Sequence, residues 1–73
     1  GLSPWTPGDG LVNGTNRTFT LSGWDGTGAP QVKLNGLILD GTDFEYSDTA
    51  LTVTLRVAPQ EGDNVTFRYQ AGS

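Results

Sequence analysis

The strongest fold signal in this chain lies near its middle, where Asn35-Gly36 separates two short apolar runs within residues 30–39. A two-residue type I′ hairpin turn needs positive φ at both central residues, and Asn and Gly tolerate that geometry best. The pattern therefore predicts a β-hairpin, and it indicates a chain that is β from its middle outward. Nothing in this hairpin is a catalytic group.

The alternation within the hairpin assigns its side chains to two faces. Lys33 and Ile38 are expected on the outer face, where an apolar residue suggests that a neighbouring subunit or another part of the chain covers the sheet. We therefore take Ile38 as a candidate partner-binding residue. The residues assigned to the core face are Val32, Leu34, Leu37 and Leu39.

Alternating apolar and polar residues predict further strands at 17–22, 44–46, 51–57 and 65–69. In the strand over 51–57, alternation places Leu51, Val53, Leu55 and Val57 in the core, and Pro59 is expected to end the pairing near Ala58. Helical periodicity is absent from the sequence. The prediction is an all-β fold, a small antiparallel β-sandwich or partly open barrel of about six strands, Ig-like in appearance.

Prolines and glycines interrupt any regular element in residues 1–15, which predicts an extended N-terminal arm or linker. Residues 16–70 are expected to form a single β domain, with 71–73 as a tail. Trp5 is unusual in such an arm. It is expected to pack against this domain's own sheet or a preceding domain, and the functional alternative is that it anchors the arm on a partner.

A second tryptophan stands in the glycine-containing loop at residues 23–30. If the strand alternation continued into this loop, Trp24 would point outward beside Asp25, and both residues are candidates for binding a partner. The alternative, which we favour, is a bulge that turns Trp24 back to cover one end of the core.

Composition excludes several classes of protein. The chain has 73 residues with no Cys and no His, so disulfides and the usual zinc sites are excluded. A domain this small is marginally stable, which favours support from neighbouring domains or an oligomer. A net charge of −4 with scattered acids argues against nucleic-acid and anionic-membrane partners. No apolar run approaches the roughly 20 residues of a membrane span.

The residue types also argue against an enzyme and against a bound cofactor or metal. With neither His nor Cys, a nucleophile would need Ser or Thr beside the single lysine, Lys33, or beside a carboxylate. The pair Asp40 and Asp43 belongs to a sequence typical of a turn. Oxygen-rich loops around Asp9 and Asn13 lack the ligand series of a calcium-binding loop.

Three turn motifs follow one another in order: Asn-Gly-Thr-Asn before a strand, Asn-Gly in a hairpin, and Pro-x-x-Gly-Asp before the closing strand. With the strands beside them, they resemble a small β module of tailed-bacteriophage virion proteins, particularly tail fibres, tail tips and head-attached fibres. The likeness covers about residues 11–69. The segments that carry it are 12–16, 18–21, 32–36, 43–44, 51–55, 58–63, Val65 and Tyr69.

The resemblance implies a non-enzymatic virion module of structural or attachment type, such as a component of a fibre, tail or head decoration. Such a module is made in the host cytoplasm and resides in the virion. It acts through contacts with other virion proteins or copies of itself, as a homo-oligomer in the assembled state. A host surface glycan is a further candidate partner. The chain departs from the pattern in its Trp24 loop and its arm, where a specific attachment role would lie.

A second hypothesis comes from a different class of protein, an extracellular carbohydrate- or receptor-binding β-sandwich module. Sugar sites on such modules often use aromatic platforms with a carboxylate nearby. Trp24 with Asp25, or Trp5, would supply this chemistry.

Overall fold

A computed structural model describes residues 1–72, and every regular element in that range is a β-strand. The all-β prediction is confirmed. In chain order the strands are β1 (Thr18–Thr20), β2 (Gln31–Leu34), β3 (Leu37–Ile38), β4 (Phe44–Ser47), β5 (Thr52–Leu55) and β6 (Val65–Arg68).

The strands form two antiparallel sheets of three, with the orders β1-β5-β4 and β3-β2-β6. The sheets enclose one core, in which Phe19 of β1 and Phe67 of β6 pack with ring centroids 5.4 Å apart. Burying large aromatic rings from both sheets supplies much of the apolar area that a small domain can remove from water. The buried apolar side chains are Phe19, Leu21, Trp24, Val32, Val53, Leu55, Val65 and Phe67.

The predicted hairpin is present between β2 and β3. Asn35 has a φ of 51° and Gly36 a φ of 84°, so both central residues of the turn have the positive φ that the sequence predicted. The strands pair in the expected register, with Leu34 opposite Leu37 and Lys33 opposite Ile38.

Two residues assigned to the core lie at the surface instead. Val57 is 72% exposed, because β5 ends at Leu55, before the predicted alternation does. Leu37 is 69% exposed, although it shares the inner face with Leu34. It stands on β3, which is the last strand of its sheet, so nothing beyond that strand covers it.

The predicted extended arm is not confirmed, because residues 1–10 bond to both sheets. The backbones of Thr6 and Phe67 exchange reciprocal hydrogen bonds of 2.9 and 2.8 Å, which attaches the segment to the edge of β6. Asp9 and Thr20 exchange a second pair, both 2.9 Å, at the edge of β1. The segment therefore joins the two sheets along one side of the sandwich.

Glycines let this segment lie directly on the core. A Cβ on Gly10 would stand 2.6 Å from Cδ2 of Phe19 and 2.8 Å from the carbonyl oxygen of Thr18. A Cβ on Gly8 would stand 2.9 Å from Cε2 of Phe67. In this segment glycine serves close packing, where the sequence suggested only the interruption of regular structure.

Candidate functional site

Two of the four predicted partner-binding residues, Trp5 and Ile38, lie against the outer face of the β3-β2-β6 sheet. Ile38 is opposite Lys33 in the register, and directly opposed residues share a face. Val32, which precedes Lys33 on β2, points to the opposite face and is fully buried in the core. Ile38 is therefore on the outer face, as predicted, and 56% of it is exposed.

Trp5 reaches this face from the N-terminal segment. The antiparallel bridge between Thr6 and Phe67 sets Trp5 beside Arg68, the last residue of β6. Nζ of Lys33 lies 4.2 Å from the centroid of the Trp5 ring, and Cζ of Arg68 lies 5.9 Å from it. Both distances are within the range of cation–π attraction, which is worth about 0.5–1 kcal/mol at exposed sites.

These contacts confirm that Trp5 packs against its own domain's sheet. Arg68 also holds the N-terminal segment to β6, because its Nε donates a hydrogen bond of 3.2 Å to the carbonyl oxygen of Ser3. The role of Trp5 as an anchor on a partner stays a prediction.

Within residues 1–72, no carboxylate neutralises the charges on this face. The residues of β2, β3 and β6 include Lys33 and Arg68 but no Asp or Glu. Within residues 1–72 the one ion pair joins Arg56 to Asp43, at 4.0 Å. In that part of the chain, Lys33 and Arg68 therefore have no carboxylate partner. We call Trp5, Lys33, Ile38 and Arg68 the cationic face.

A second surface feature lies at the side of the sandwich where β3 is the edge strand. A pocket of about 210 Å³ opens there between the sheets. The exposed Val57 lines this pocket. The exposed Leu37 is paired across the hairpin with Leu34, which also lines it. We call Leu37, Val57 and this pocket the apolar edge. The residues lining the pocket are Leu34, Leu39, Asp43, Leu55 and Val57.

Alternation does not predict the apolar edge, because it assigns both Leu37 and Val57 to the core. Pro59 is the one sequence signal for it, and it predicts an end of the β5 pairing near Ala58, later than the observed end at Leu55. An earlier end leaves Val57 outside the strand and beside the pocket.

Trp24 is a core residue and not an exposed platform. Only 2% of it is exposed, its Nε1 donates a hydrogen bond of 3.0 Å to the carbonyl oxygen of Thr27, and its ring meets Tyr46 edge-on at 5.8 Å. The outward orientation was wrong, since the loop after β1 leaves the strand alternation. The alternative, in which the indole turns back to cover the core, is the arrangement observed, although a turn produces it and not a bulge: the backbone N–H of Trp24 donates a hydrogen bond of 3.1 Å to the carbonyl oxygen of Leu21.

Asp25 is exposed and organises its own loop. Its carboxylate accepts hydrogen bonds from the Thr27 hydroxyl at 2.7 Å and from the Thr27 backbone N–H at 2.9 Å. The hydroxyl bond, followed by the backbone bond, lowers the pKa of Asp25 below its ordinary value of 3.8. Asp40 and Thr42 repeat this arrangement, and the same two bonds lower the pKa of Asp40. These carboxylates hold turns.

Comparison with known proteins found no matching family model, no matching curated protein and no matching solved structure. Within residues 1–72, no three carboxylates gather where they would hold a metal ion. The same residues contain no helix with the length and apolar character to cross a membrane. The described surface has two features of note: an apolar pocket on one side, and two cations beside an indole on a sheet face.

Proposed function

We propose that this chain is a non-enzymatic structural or attachment module of a tailed-bacteriophage virion, acting through protein–protein contacts. The observation that carries the proposal is the apolar edge, where Leu37 and Val57 are 69% and 72% exposed beside an open pocket. Scattered exposed apolar residues are ordinary, but a cluster around a pocket is typical of an interaction surface.

The small size of the domain supports the same conclusion. With 73 residues and no Cys, the chain has neither disulfides nor a large core to stabilise it. Covering the apolar edge with another protein would remove further apolar surface from water, at about 25 cal/mol for each Å² buried. Contacts within an assembled particle would therefore stabilise the module as well as position it.

The resemblance of residues 11–69 to phage virion modules is the reason for proposing that the assembled particle is a phage virion. It supports fibre, tail or head-decoration proteins as partners, together with copies of the same chain in a homo-oligomer. On this proposal the protein resides in the virion after synthesis in the host cytoplasm.

The carbohydrate-binding alternative has less support from the geometry. Stacking on a sugar needs a free aromatic face, and Trp24 is 2% exposed. The Trp5 ring already carries Nζ of Lys33 at 4.2 Å. We therefore give precedence to protein contacts.

The proposal is tested on particles of the phage that encodes the chain, purified and examined by mass spectrometry and by labelling of a tagged copy. We expect the chain in the particles, and we expect Leu37→Asp and Val57→Asp to reduce its incorporation at least about tenfold, because a charge would enter an apolar contact. Leu11→Asp is the matched control, since Leu11 is 71% exposed and lies outside the apolar edge.

Circular dichroism of each variant would verify that the fold is retained, as expected for exposed positions. Purified particles that lack the chain would refute the virion assignment. Equal incorporation of all three variants would refute the apolar edge as the contact surface.

A further inference from the structure

We infer that the cationic face docks an acidic segment of a partner protein, whose carboxylates pair with Lys33 and Arg68. This inference rests on the proposed function, because it names the chemistry of a protein partner. It concerns a different surface from the apolar edge.

Lys33 and Arg68 lie close together on the outer face of the sheet. Lys33 is opposite Thr66 in the register, and Arg68 follows two residues later on the same strand, so the two cations are diagonal neighbours on one face. Two like charges at that spacing repel each other, and no carboxylate within residues 1–72 pairs with either. An anion placed between them would relieve this repulsion.

The cationic face differs in charge from the protein as a whole. The protein carries eight acids and four bases, and two of those bases meet on this one face. A net charge of −4 repels an acidic partner in most orientations. The β3-β2-β6 sheet, with no Asp or Glu in its strands, is the face that such a partner can approach.

Contacts within the protein hold both cations in place before a partner binds. The Trp5 ring lies 4.2 Å from Nζ of Lys33, and the hydrogen bond from Arg68 to Ser3 fixes the guanidinium at its Nε. Side chains ordered in advance lose less conformational entropy on binding, which raises affinity.

Ile38 favours a polypeptide over an anionic glycan. It is 56% exposed on the same face and directly opposite Lys33. A peptide can bury an apolar side chain against Ile38 while its carboxylates meet the cations, whereas a sugar acid offers little apolar surface. Aromatic and Arg residues beside an apolar side chain are also the composition of protein-binding surfaces.

The test is a titration of the full 73-residue chain with a short poly-glutamate peptide. Tryptophan fluorescence and calorimetry measure the binding. We expect binding that weakens as salt is raised. Lys33→Gln and Arg68→Gln should each weaken it about three- to fivefold, and the double variant about tenfold or more. Lys33→Arg should retain most of the binding because it keeps the charge.

Arg17→Gln is the matched control. Like Arg68, Arg17 donates from its Nε to a backbone carbonyl, that of Leu55 at 2.9 Å, and it has no carboxylate partner within residues 1–72. It precedes β1 in the other sheet, so its loss should leave poly-glutamate binding unchanged. Equal weakening by Arg17→Gln would overturn the inference, since the attraction would then be diffuse.

The same titration is repeated with two other anionic probes: sialyllactose, which is a glycan, and a short DNA duplex. Binding of either through Lys33 and Arg68 without binding of poly-glutamate would overturn the inference. Presence of the chain in particles, combined with no poly-glutamate binding, would also overturn it and leave the proposed function intact. Absence from particles with charge-dependent poly-glutamate binding would refute the proposed function and support this face as an acidic-segment site.

Discussion

At the scale of single residues, Asn35 shows how one side chain can meet two requirements. Its φ of 51° suits the hairpin turn, and Asn tolerates that region better than most residues. Its Oδ1 also accepts a hydrogen bond of 2.8 Å from the backbone N–H of Asn64, and its Nδ2 donates one of 3.1 Å to Asp63. The turn is thereby tied to the loop before β6. The first requirement was visible in the sequence; the second involves residues far along the chain.

The pKa of Asp25 gives a residue-scale prediction. Because the Thr27 hydroxyl is the largest cause of the lowered pKa, Thr27→Val should raise the pKa of Asp25 toward 3.8. The backbone bond from residue 27 would remain, so the rise should be partial. A carbon-13 NMR titration of the carboxyl groups measures it. Thr42→Val, which removes the equivalent bond to Asp40, should leave Asp25 unchanged and serves as the control.

The direction of the pH effect follows from the sign of that shift. A carboxyl whose folded pKa is lowered stabilises the fold fully above its unfolded pKa, and this contribution is lost as the pH falls through the folded value. For Asp25 and Asp40 the loss therefore occurs below about pH 3.8. A Thr27→Val protein whose Asp25 titrates as before would contradict the assignment of the shift to the hydroxyl.

At the scale of elements, β5 shows where alternation is a sound guide and where it ends. Val53 and Leu55 are buried as predicted. Val53 pairs with β1 on one side and β4 on the other, and Leu55 pairs with Phe44 of β4. Beyond Leu55 the chain continues in the same alternating sequence, but the strand has ended and Val57 is exposed. Alternation predicts whether a side chain is buried only as far as the strand itself extends and another part of the protein packs against that face.

Two substitutions of the same kind test this boundary. Val53→Asp should unfold the domain, because an unpaired charge in the core costs at least about 3 kcal/mol. Val57→Asp should leave the isolated domain folded, since Val57 is 72% exposed. Urea unfolding followed by circular dichroism compares them. A folded Val53→Asp protein would mean that the strand faces are assigned wrongly.

At the scale of the whole molecule, residues 1–10 hold the two sheets together. They bond to β6 through Thr6 and to β1 through Asp9, and their glycines lie against Phe67 and Phe19. Connecting segments usually run over the surface with few contacts. This segment instead closes one side of the sandwich, so the N-terminal region belongs to the folded unit.

Deleting residues 1–10 should therefore cost most of the stability. Two reciprocal pairs of backbone hydrogen bonds would be lost, at about 1 kcal/mol for each bond, and the rings of two core phenylalanines would be uncovered. A small domain has only a few kcal/mol in total, so we expect an unfolded or molten chain by near-ultraviolet circular dichroism. Trp5→Ala is the contrast, with an expected loss of about 1 kcal/mol and a retained fold.

An intact near-ultraviolet spectrum for the shortened chain would show that the segment is a docked appendage and not part of the fold. A large loss of stability from Trp5→Ala alone would show that the segment stabilises the fold mainly through the Trp5 indole and not through its backbone hydrogen bonds.

The candidate site was predictable only in part. Ile38 and Lys33 followed from the hairpin register, which depends on neighbours within a few residues of the turn. The meeting of Trp5, Lys33 and Arg68 did not follow, because it joins three distant parts of the chain through the bridge of Thr6 to β6. The orientation of Trp24 could not be predicted either, because its loop has no alternating pattern. Only packing against the core determines which way the indole points.

The sequence by itself determined the all-β class, the Asn35-Gly36 hairpin and the buried faces of the strands, because these depend on local φ preferences and on a period of two residues. Only the tertiary structure decided that the N-terminal segment closes the sandwich, that Trp24 lies in the core, and that two cations share a face with an indole. Those features depend on which distant surfaces meet, and contact between sheets and across the chain leaves no local pattern in the sequence.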